Sequence, residues 1–362
     1  MPSVYGRKLK LSIFGESHGE AIGVVIDGFP AGLRIDNDFI AALMKRRAPG
    51  GALTTKRKED DLPHIISGVS DGYTNGFPIC AVIENTNQRS GDYGRPTLPR
   101  PNHADYPALL KYGEHCELHG GGHFSGRLTA PLTFAGGLCM LYLRERGVSV
   151  AAHLKQILNV TDSAFPFDVT PAQLDAQRER DFPTIDPMTA EAFKTIINSA
   201  KVKGDSVGAI IECAAAGLPA ALGEHMFGSV EAEISQLVFA IPGAKGVQFG
   251  AGFDFCRMYG SEANDVYEYR DGRVVTKTGN CGGIVGGMTT GMPVIFSVAM
   301  KPTPSIYLEQ DTVDLENKTN AKLAVRGRHD PCISLRAVPV VESAAAIALT
   351  SLMLETEGRS LN

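Results

Sequence analysis

The chain has 362 residues, 43% of them apolar and 21% charged, and its formal net charge is −5. This length and composition predict a globular protein with a large core, arranged as one large domain or two ordinary ones. The negative net charge argues against a nucleic-acid-binding protein that works through a broadly basic surface.

The beginning of the chain, residues 1–7, lacks the apolar segment of a secretory signal. No uninterrupted apolar run approaches the roughly 20 residues that a membrane helix needs. We therefore expect a cytoplasmic protein with no membrane or nucleic-acid partner. Seven cysteines, scattered and without a Cys-x-x-Cys pair, favour reduced thiols over a disulfide framework or a zinc ribbon.

Capping residues and apolar periodicity predict seven helices, and short apolar runs predict five strands. The predicted helices are 36–47, 104–112, 126–146, 170–180, 189–200, 229–239 and 340–357. The predicted strands are 9–14, 22–27, 79–84, 207–214 and 294–299. Strands near both ends with long helices between them fit an α+β layered fold better than a regular βαβ series. No low-complexity linker interrupts the chain, which favours one integrated domain over 1–362.

Three polar clusters that contain histidine lie far apart in the chain. They are 15–19, which holds His18, 100–105, which holds His103, and 326–331, which holds His329 and Asp330. A histidine in a glycine-flanked turn at the end of a strand can meet a ligand. One such turn is a weak signal, but three of these clusters suggest a single site that folding assembles.

Basic residues are clustered in spite of the negative net charge. Segments 45–47 and 56–58 bracket a Pro-Gly-Gly turn. One interpretation is a solvated helix end and loop, and the other is an anion cradle for a small, highly charged substrate. A local basic pocket in an acidic protein favours a discrete phosphate or carboxylate ligand over a polymer.

Glycine clusters at 120–122 and 282–287 allow backbone amides to approach a ligand closely. Neither has the Gly-Lys-Ser/Thr of a Walker A loop or the pattern Gly-x-Gly-x-x-Gly, so nucleotide hydrolysis and a Rossmann site lose support. His119 and His123 could suggest zinc, but the glycines between them would break the helix that such a pair needs. We expect no metal site and interpret the segment as a ligand-binding turn.

The chain resembles the chorismate synthase family in segments that run in order through nearly its whole length. The matching segments are 15–19, 84–90, 92–93, 100–106, 120–127, 244–247, 301–305, 327–332, 336–339 and position 342. The resemblance implies an α+β fold, a sandwich of antiparallel β-sheets around central α-helices, assembled as a homotetramer. The sequence departs from one common family pattern at Ala48, at Ala52 or Leu53, and at 241–243 near the flavin.

The resemblance implies a carbon–oxygen lyase that catalyses the last step of the shikimate pathway. In that step, 5-enolpyruvylshikimate 3-phosphate loses phosphate and a ring proton by 1,4-elimination, and chorismate forms. No carbonyl next to that proton could stabilise a carbanion, and the family uses reduced FMN (FMNH2) as an electron-rich cofactor. NADP is expected as an associated nucleotide. No segment looks like a nicotinamide-binding fold, so a separate flavin reductase or the cellular reduced-flavin pool should supply FMNH2.

Two alternatives belong to other functional classes. One is a flavin-dependent oxidoreductase with net hydride transfer, and the other is a non-catalytic flavin-binding or anion-binding protein. A binding protein would not need His18, His103 and Asp330 together.

The resemblance also implies roles for individual residues. His18 would protonate or stabilise the reduced flavin, and His103 would help the departing phosphate by hydrogen bonding or proton donation. Asp330 would assist proton removal through the flavin N5 region, and the neighbouring Arg328 is expected to keep it ionised. The expected substrate-binding residues are Ser17, Arg46, Arg47, Ser125 and Arg127. The expected flavin-binding residues are His123, Phe124, Ser125, Gly286, Lys301, Pro302, Thr303, Pro304, Ser305 and Arg328.

Overall fold

A computed structural model describes residues 3–51, 53–54, 61–86, 97–325, 327 and 329–357. The helices in these ranges are α1 (Asn37–Arg47), α2 (Asp105–Tyr112), α3 (Thr129–Arg144), α4 (Pro171–Arg178), α5 (Pro187–Lys203), α6 (Val230–Phe239), α7 (Gly260–Ala263) and α8 (Ser334–Thr356).

The strands are short, and most belong to two sheets. They are β1 (Val4–Tyr5), β2 (Lys10–Gly15), β3 (Ala21–Asp27), β4 (His64–Ser67), β5 (Val69–Ser70), β6 (Tyr73–Thr74), β7 (Ile79–Glu84), β8 (Ser149–Ile157), β9 (Val160–Thr161), β10 (Ala209–Ala216), β11 (Ala244–Phe249), β12 (Tyr267–Arg270), β13 (Arg273–Thr276), β14 (Ile284–Val285), β15 (Met288–Thr289), β16 (Val294–Met300), β17 (Gln310–Asp314) and β18 (Thr319–Leu323).

Both large sheets are antiparallel. The first has the order β1-β2-β3-β7-β4, and the second has the order β11-β16-β10-β8-β9. Val24 pairs with Ala81 in the first sheet, and Cys213 pairs with Phe296 in the second. Burial alternates along β7 and β16, as expected for strands with one face on the core.

Two long apolar helices lie between the sheets. Helix α3 packs against β2, β3 and β7 on one side and against α8 on the other, and α8 packs against β8 and β10. The layers are therefore sheet, α3, α8 and sheet. This arrangement confirms the predicted α+β sandwich of antiparallel sheets around central helices.

Helix α8 is long and apolar enough to cross a membrane by length and composition, but 94% of its most apolar window is buried inside the protein. The core helix of a globular protein has the same properties, and the packing of α8 between α3 and the second sheet is of that kind.

Local capping explains where several predicted helices begin. Asp36 accepts a hydrogen bond from the Phe39 amide at the start of α1, and Ser229 accepts one from the Ala232 amide at the start of α6. Thr170 and Gln173 form a capping box at the start of α4. These contacts confirm the starts that the sequence predicts for these helices.

Several helix boundaries and several strands differ from the sequence prediction. Helix α8 begins at Ser334 rather than at 340, because Pro339 is accommodated within it. The helix predicted from 126 begins with a 3₁₀ turn, Gly126–Leu128, before α3. Strands β8 and β11 were not predicted, because β8 is buried on both faces over most of its length and β11 contains Gly246 and little alternation.

Gly136 on α3 is required where α3 crosses α8. A Cβ added at Gly136 would lie 2.2 Å from the Ser343 Cβ and 2.5 Å from the Ser343 Cα. At the neighbouring Gly137 the nearest atom would be the flexible Leu43 Cδ2, at 3.3 Å. The two glycines are therefore a matched pair in which only one is confined by backbone.

We expect Gly136→Ala to lower the free energy of unfolding by about 1–3 kcal/mol through overpacking. Gly137→Ala should be near neutral, because the gain in helix propensity offsets a small shift of Leu43. Urea denaturation of both variants measures the difference, and equal stabilities would show that the two helices can separate without cost.

A buried charged cluster joins β8 and β10 of the second sheet to Asp162, which follows β9. His153 on β8 lies 3.0 Å from Asp162 (Nδ1 to Oδ2) and 2.9 Å from Glu212 on β10 (Nε2 to Oε2). Burial would lower the pKa of His153, but the two carboxylates outweigh it and raise that pKa above 6.5. The two carboxylates therefore favour the charged form of His153.

This raised pKa predicts a pH-dependent contribution to stability. The contribution should be fully present below the unfolded pKa of about 6.5 and should be lost as the pH rises through the higher folded pKa. The difference in unfolding free energy between the parent and His153→Gln, measured across this range, should shrink with rising pH. A constant difference would contradict the assignment.

Candidate active site

A cavity of about 540 Å³ is bounded by segments that lie far apart in the chain. This volume is in the range of about 300–1,000 Å³ that is typical of small-molecule sites. The three histidine clusters predicted to meet all contribute to it. Its polar and charged lining residues are His18, Arg47, Arg100, Asn102, His103, His123, Ser125, Arg127, Thr129, Lys301, Thr303, Ser305, His329, Asp330 and Arg336.

Positive charge dominates the cavity. Among the described lining residues, four are arginines and one is a lysine, whereas Asp330 is the only carboxylate. Guanidinium groups pair bidentately with phosphate and carboxylate groups. The cavity is therefore suited to a small polyanion, which supports the anion-cradle interpretation for Arg47.

Two of the arginines share one buried carboxylate. Asp61 forms ion pairs with Nη1 of Arg47 and with Nη1 of Arg127, and the three side chains are almost completely buried. Arg47 also donates from Nε to Thr129 Oγ1 (3.2 Å) and from Nη2 to the Gly126 carbonyl (3.0 Å). These bonds fix both guanidinium groups at the cavity wall.

The shared carboxylate stays ionised. Burial would raise the pKa of Asp61, but Arg47 and Arg127 outweigh it and hold that pKa below its ordinary value. Burial lowers the pKa of Arg47 to about 10, partly opposed by Asp61. Arg47 therefore remains cationic at neutral pH. Asp61 has a left-handed backbone with φ of 49°, a conformation that is uncommon outside glycine and asparagine.

Asn85 connects Arg127 to the turn that carries His18. Arg127 donates from Nε to Asn85 Oδ1 (2.9 Å). The amide nitrogen of Asn85 donates to the carbonyls of Glu16 (3.0 Å) and Gly19 (2.8 Å), in the turn between β2 and β3. Arg127 and the histidine turn thus form one connected unit.

His18 lies against the glycine-rich turn 120–122. A Cβ on Gly120, whose φ is +60°, would lie 2.2 Å from His18 Nδ1, so only glycine allows this close approach. The Ser17 amide donates to the Gly122 carbonyl (3.1 Å). The structure places His18 in the cavity lining, whereas Ser17 is buried beside it and does not line the cavity.

His103 lines the cavity and contacts a buried carboxylate. Its Nδ1 lies 2.7 Å from Asp105 Oδ1. Asp105 is also paired with Arg100, through Nε at 2.7 Å and Nη2 at 2.8 Å. The imidazole is therefore held from behind by a charged pair.

His123 lines the cavity with its ring but has both nitrogens bonded. Its Nδ1 lies 2.8 Å from the Gly15 carbonyl, and its Nε2 lies 2.8 Å from Ser3 Oγ. A carbonyl only accepts, so Nδ1 carries the proton and Nε2 accepts from the hydroxyl. His123 can therefore offer a ligand ring contact, and Phe124 and Ser125 lie next to it in the lining.

The loop Lys301–Ser305 forms one wall of the cavity. Lys301 donates from Nζ to the Asn102 carbonyl, and burial followed by Lys245 lowers its pKa. Thr303 Oγ1 and His329 Nε2 are buried and have no hydrogen-bond partner among the described residues. These two atoms are suited to a ligand that carries hydrogen-bonding groups.

Burial and nearby positive charge keep His329 neutral. Burial, together with the charge of Arg100, lowers the pKa of His329 to about 4, against the opposing effect of Asp330. Asp330 itself is paired with Arg336, whose Nη1 lies 2.7 Å from Asp330 Oδ2. Arg336 also donates from Nε to the Arg47 carbonyl (2.9 Å), which joins α8 to the end of α1.

Comparisons with known proteins agree on one family. The family model described as chorismate synthase matches residues 9–354. The chain belongs to the chorismate synthase family. The chorismate synthase of Lancefieldella parvula is 42% identical over 96% of this chain and 95% of the relative. That of Thermococcus kodakarensis is 43% identical over 96% and 97%. A crystal structure titled chorismate synthase has a TM-score of 0.75 at 26% identity, covering 98% of this chain and 94% of that chain.

Membership of the chorismate synthase family confirms the predicted enzyme class and reaction. The enzyme is a lyase of the shikimate pathway that eliminates phosphate from 5-enolpyruvylshikimate 3-phosphate to give chorismate, in aromatic amino-acid biosynthesis. The family uses a flavin cofactor. The substrate carries one phosphate and two carboxylates, which is the type of anion that the cavity charge indicates.

Three residues expected to bind ligands in chorismate synthase do not line this cavity. Arg46 is paired bidentately with the buried Glu342, whose carboxylate oxygens lie 2.7 Å from Nη1 and 2.8 Å from Nη2. Burial would lower the pKa of Arg46, but Glu342 outweighs this effect and raises that pKa. Gly286 lies in the β14–β15 turn and is not among the lining residues. Ser17 is buried and is not among the lining residues. A fourth, Arg328, lies outside the described residues.

Several residues of the chorismate synthase site were not predicted as site residues. Asp61 was missed because no local motif surrounds it, and its role depends on arginines 14 and 66 positions away. Arg100 and Arg336 lie within segments that match the family, so that match was the signal available for them. Segment 241–243, noted as a departure from the family pattern, does line the cavity.

Proposed function

We propose that this chorismate synthase works with FMN in its reduced form, bound beside 5-enolpyruvylshikimate 3-phosphate in the 540 Å³ cavity. The observation that carries the proposal is the lining itself, which combines five cationic side chains, four histidines and one carboxylate among the described residues. The orphaned Thr303 Oγ1 and His329 Nε2 support a second ligand with hydrogen-bonding ring atoms. A phosphate-bearing cofactor would be held by the Lys301–Ser305 loop, with ring contacts to His123 and Phe124.

Reduced FMN, when bound, supplies electron density while the carbon–oxygen bond breaks, with no net redox change. The protein residues orient the substrate and control protons. Arg47 and Arg127 hold the phosphate and carboxylate oxygens as fixed bidentate donors. His103, held at Nδ1 by Asp105, presents its other nitrogen to the departing phosphate and hydrogen-bonds it or donates a proton.

The remaining proton steps belong to two residues. Asp330, oriented by Arg336, assists removal of the ring proton. His18, fixed against Gly120, maintains the protonation state of the reduced flavin. We also propose ligand contacts for Ser17, Arg46, Gly286 and Arg328. These contacts rest on the family resemblance alone and have no support from the geometry of the cavity. Ser125, which lines the cavity, is proposed to contact both ligands.

The localisation, domain organisation, assembly and partners of the enzyme are also proposals. We propose a cytoplasmic enzyme, one domain over 1–362, assembled as a homotetramer and without nucleic-acid or membrane partners. A separate flavin reductase or the reduced-flavin pool would provide FMNH2, with NADP as an associated nucleotide of that supply. Sedimentation that gives a stable monomer at working concentration would remove the tetramer.

An anaerobic assay tests the cofactor. We expect chorismate to form with photoreduced FMN present at far below the substrate concentration, and no chorismate to form with oxidised FMN. Reduced riboflavin, which lacks the phosphate, should be a poor substitute because it has no group for the 301–305 loop. Stoichiometric consumption of an electron acceptor would instead indicate net hydride transfer, and full activity with oxidised FMN would exclude the reduced cofactor.

A further inference from the structure

Asp105 is buried behind His103 and accepts four hydrogen bonds. His103 Nδ1 lies 2.7 Å from its Oδ1. Arg100 contributes the other three, from its backbone amide (3.0 Å), from Nε (2.7 Å) and from Nη2 (2.8 Å). The side chain of Asp105 is 1% exposed, whereas His103 is 15% exposed and faces the cavity. Asp105 therefore contacts the imidazole from the side away from the ligands.

The protonation of the imidazole follows from this contact. Burial would raise the pKa of Asp105, but hydrogen bonds from Arg100 and His103 outweigh it and hold that pKa well below its ordinary value. An ionised carboxylate only accepts, so Nδ1 of His103 carries a proton. Among the described residues, no hydrogen bond is formed by Nε2, and this nitrogen remains for the ligand.

Arg100 partly neutralises the negative charge of Asp105 beside the imidazole. Its guanidinium pairs with both oxygens of Asp105, and its Nη1 also lies 3.3 Å from Ser305 Oγ in the 301–305 loop. A carboxylate that faces only a histidine would strongly favour the imidazolium. The paired cation moderates this effect, and it also connects the histidine to the wall proposed to hold the cofactor.

We propose that Asp105 is a positioning residue, which fixes His103 with Nδ1–H turned inward and Nε2 toward the cavity, and that Arg100 balances its charge. The proposal rests on the proposed function in one respect, namely that His103 assists the departing phosphate. Its structural content does not depend on that role. Because Asp105 is an anion and Arg100 is a cation, the two residues should shift the titration of His103 in opposite directions.

Ring ¹⁵N spectra of the full-length protein, labelled in its nine histidines, test the positioning directly. His103→Gln identifies the signal. At neutral pH the parent should show a protonated Nδ1. In Asp105→Asn, His103 should titrate at lower pH and populate both neutral tautomers, since the anionic acceptor is gone. In Arg100→Gln, His103 should titrate at higher pH, because Asp105 then acts without its counter-cation.

Two charge-conserving variants separate positioning from loss of folding. Asp105→Glu and Arg100→Lys keep the charges but alter the geometry of the Asp105–Arg100 pair. In these two variants neither the downward nor the upward shift of the His103 titration should appear, while the line shapes stay those of a folded protein. Unchanged His103 titration in both Asp105→Asn and Arg100→Gln would overturn the proposal. If Asp105→Asn fails to fold, the upward shift in Arg100→Gln still decides, and its absence overturns the proposal.

Kinetics distinguish this proposal from the role of His103. If both hold, the pH profile of kcat should move with the ¹⁵N titration in each variant, and kcat in Asp105→Asn should fall about 10- to 100-fold with a smaller change in KM. Shifted titrations with a parental kcat profile would support the positioning by Asp105 and would refute the catalytic use of His103.

Discussion

Replacing Asp61 by asparagine is expected to lower the free energy of unfolding by about 3–5 kcal/mol, because the change leaves two buried arginines without their shared counter-charge. Asparagine tolerates the left-handed backbone that Asp61 adopts, so the substitution isolates the charge. Catalysis should suffer as well, since Arg47 and Arg127 repel each other once the carboxylate is neutral. We expect a higher KM for 5-enolpyruvylshikimate 3-phosphate in the molecules that remain folded.

Denaturant unfolding and steady-state kinetics at a temperature where the variant is folded measure both effects. Asp311→Asn is the matched control, because Asp311 is 85% exposed and pairs with the surface Lys322, and such a pair contributes little. A variant at Asp61 with parental stability and KM would show that the arginines do not depend on the bridge.

Asp330→Asn is expected to slow the chemical step by about 10²–10⁴ while substrate and reduced FMN still bind, because the amide keeps the size of the carboxylate but not its basicity. Anaerobic single-turnover kinetics measure the rate. Deuterium at the departing ring hydrogen should give a larger isotope effect in the variant, since proton removal then limits the rate more fully.

The alternative for Asp330 is a structural role through its ion pair with Arg336. In that case the melting temperature would fall, and the rate per folded molecule would stay near that of the parent. Arg336→Gln breaks the same pair but leaves the carboxylate, so its melting temperature measures what the pair contributes to stability. A normal rate in a folded, flavin-saturated Asn variant would rule out the proton-transfer role.

Local sequence signals predicted those parts of the fold, such as helix starts, in which a single residue type determines the structure. Asp36 and Ser229 mark helix starts because their side chains satisfy free amides. The start of α8 could not be predicted in this way, since Pro339 suggests a break and the packing of α8 between α3 and the second sheet overrides it. Strand β8 was missed because its burial on both faces removes the alternation that identifies a strand.

The sequence predicted the site residues whose side chains can carry out chemistry. His18, His103 and Asp330 do meet at one cavity. Adjacent arginines, however, point in different directions from a helix, so Arg47 reaches the cavity while Arg46 pairs with Glu342. Sequence could not separate the two, because the difference arises from helix rotation and from which partner lies opposite.

The central position of α8 has a consequence for synthesis. A ribosome delivers the described elements in chain order at roughly 5–20 residues per second, and α8 leaves after both sheets and α3 have been made. Until then, the inner faces of β8, β10 and α3 have no cover, since α8 is what they pack against. Nascent chains should therefore expose a broad apolar surface until late in translation. Pulse proteolysis of stalled ribosome complexes should show protection of α3 only after α8 has emerged.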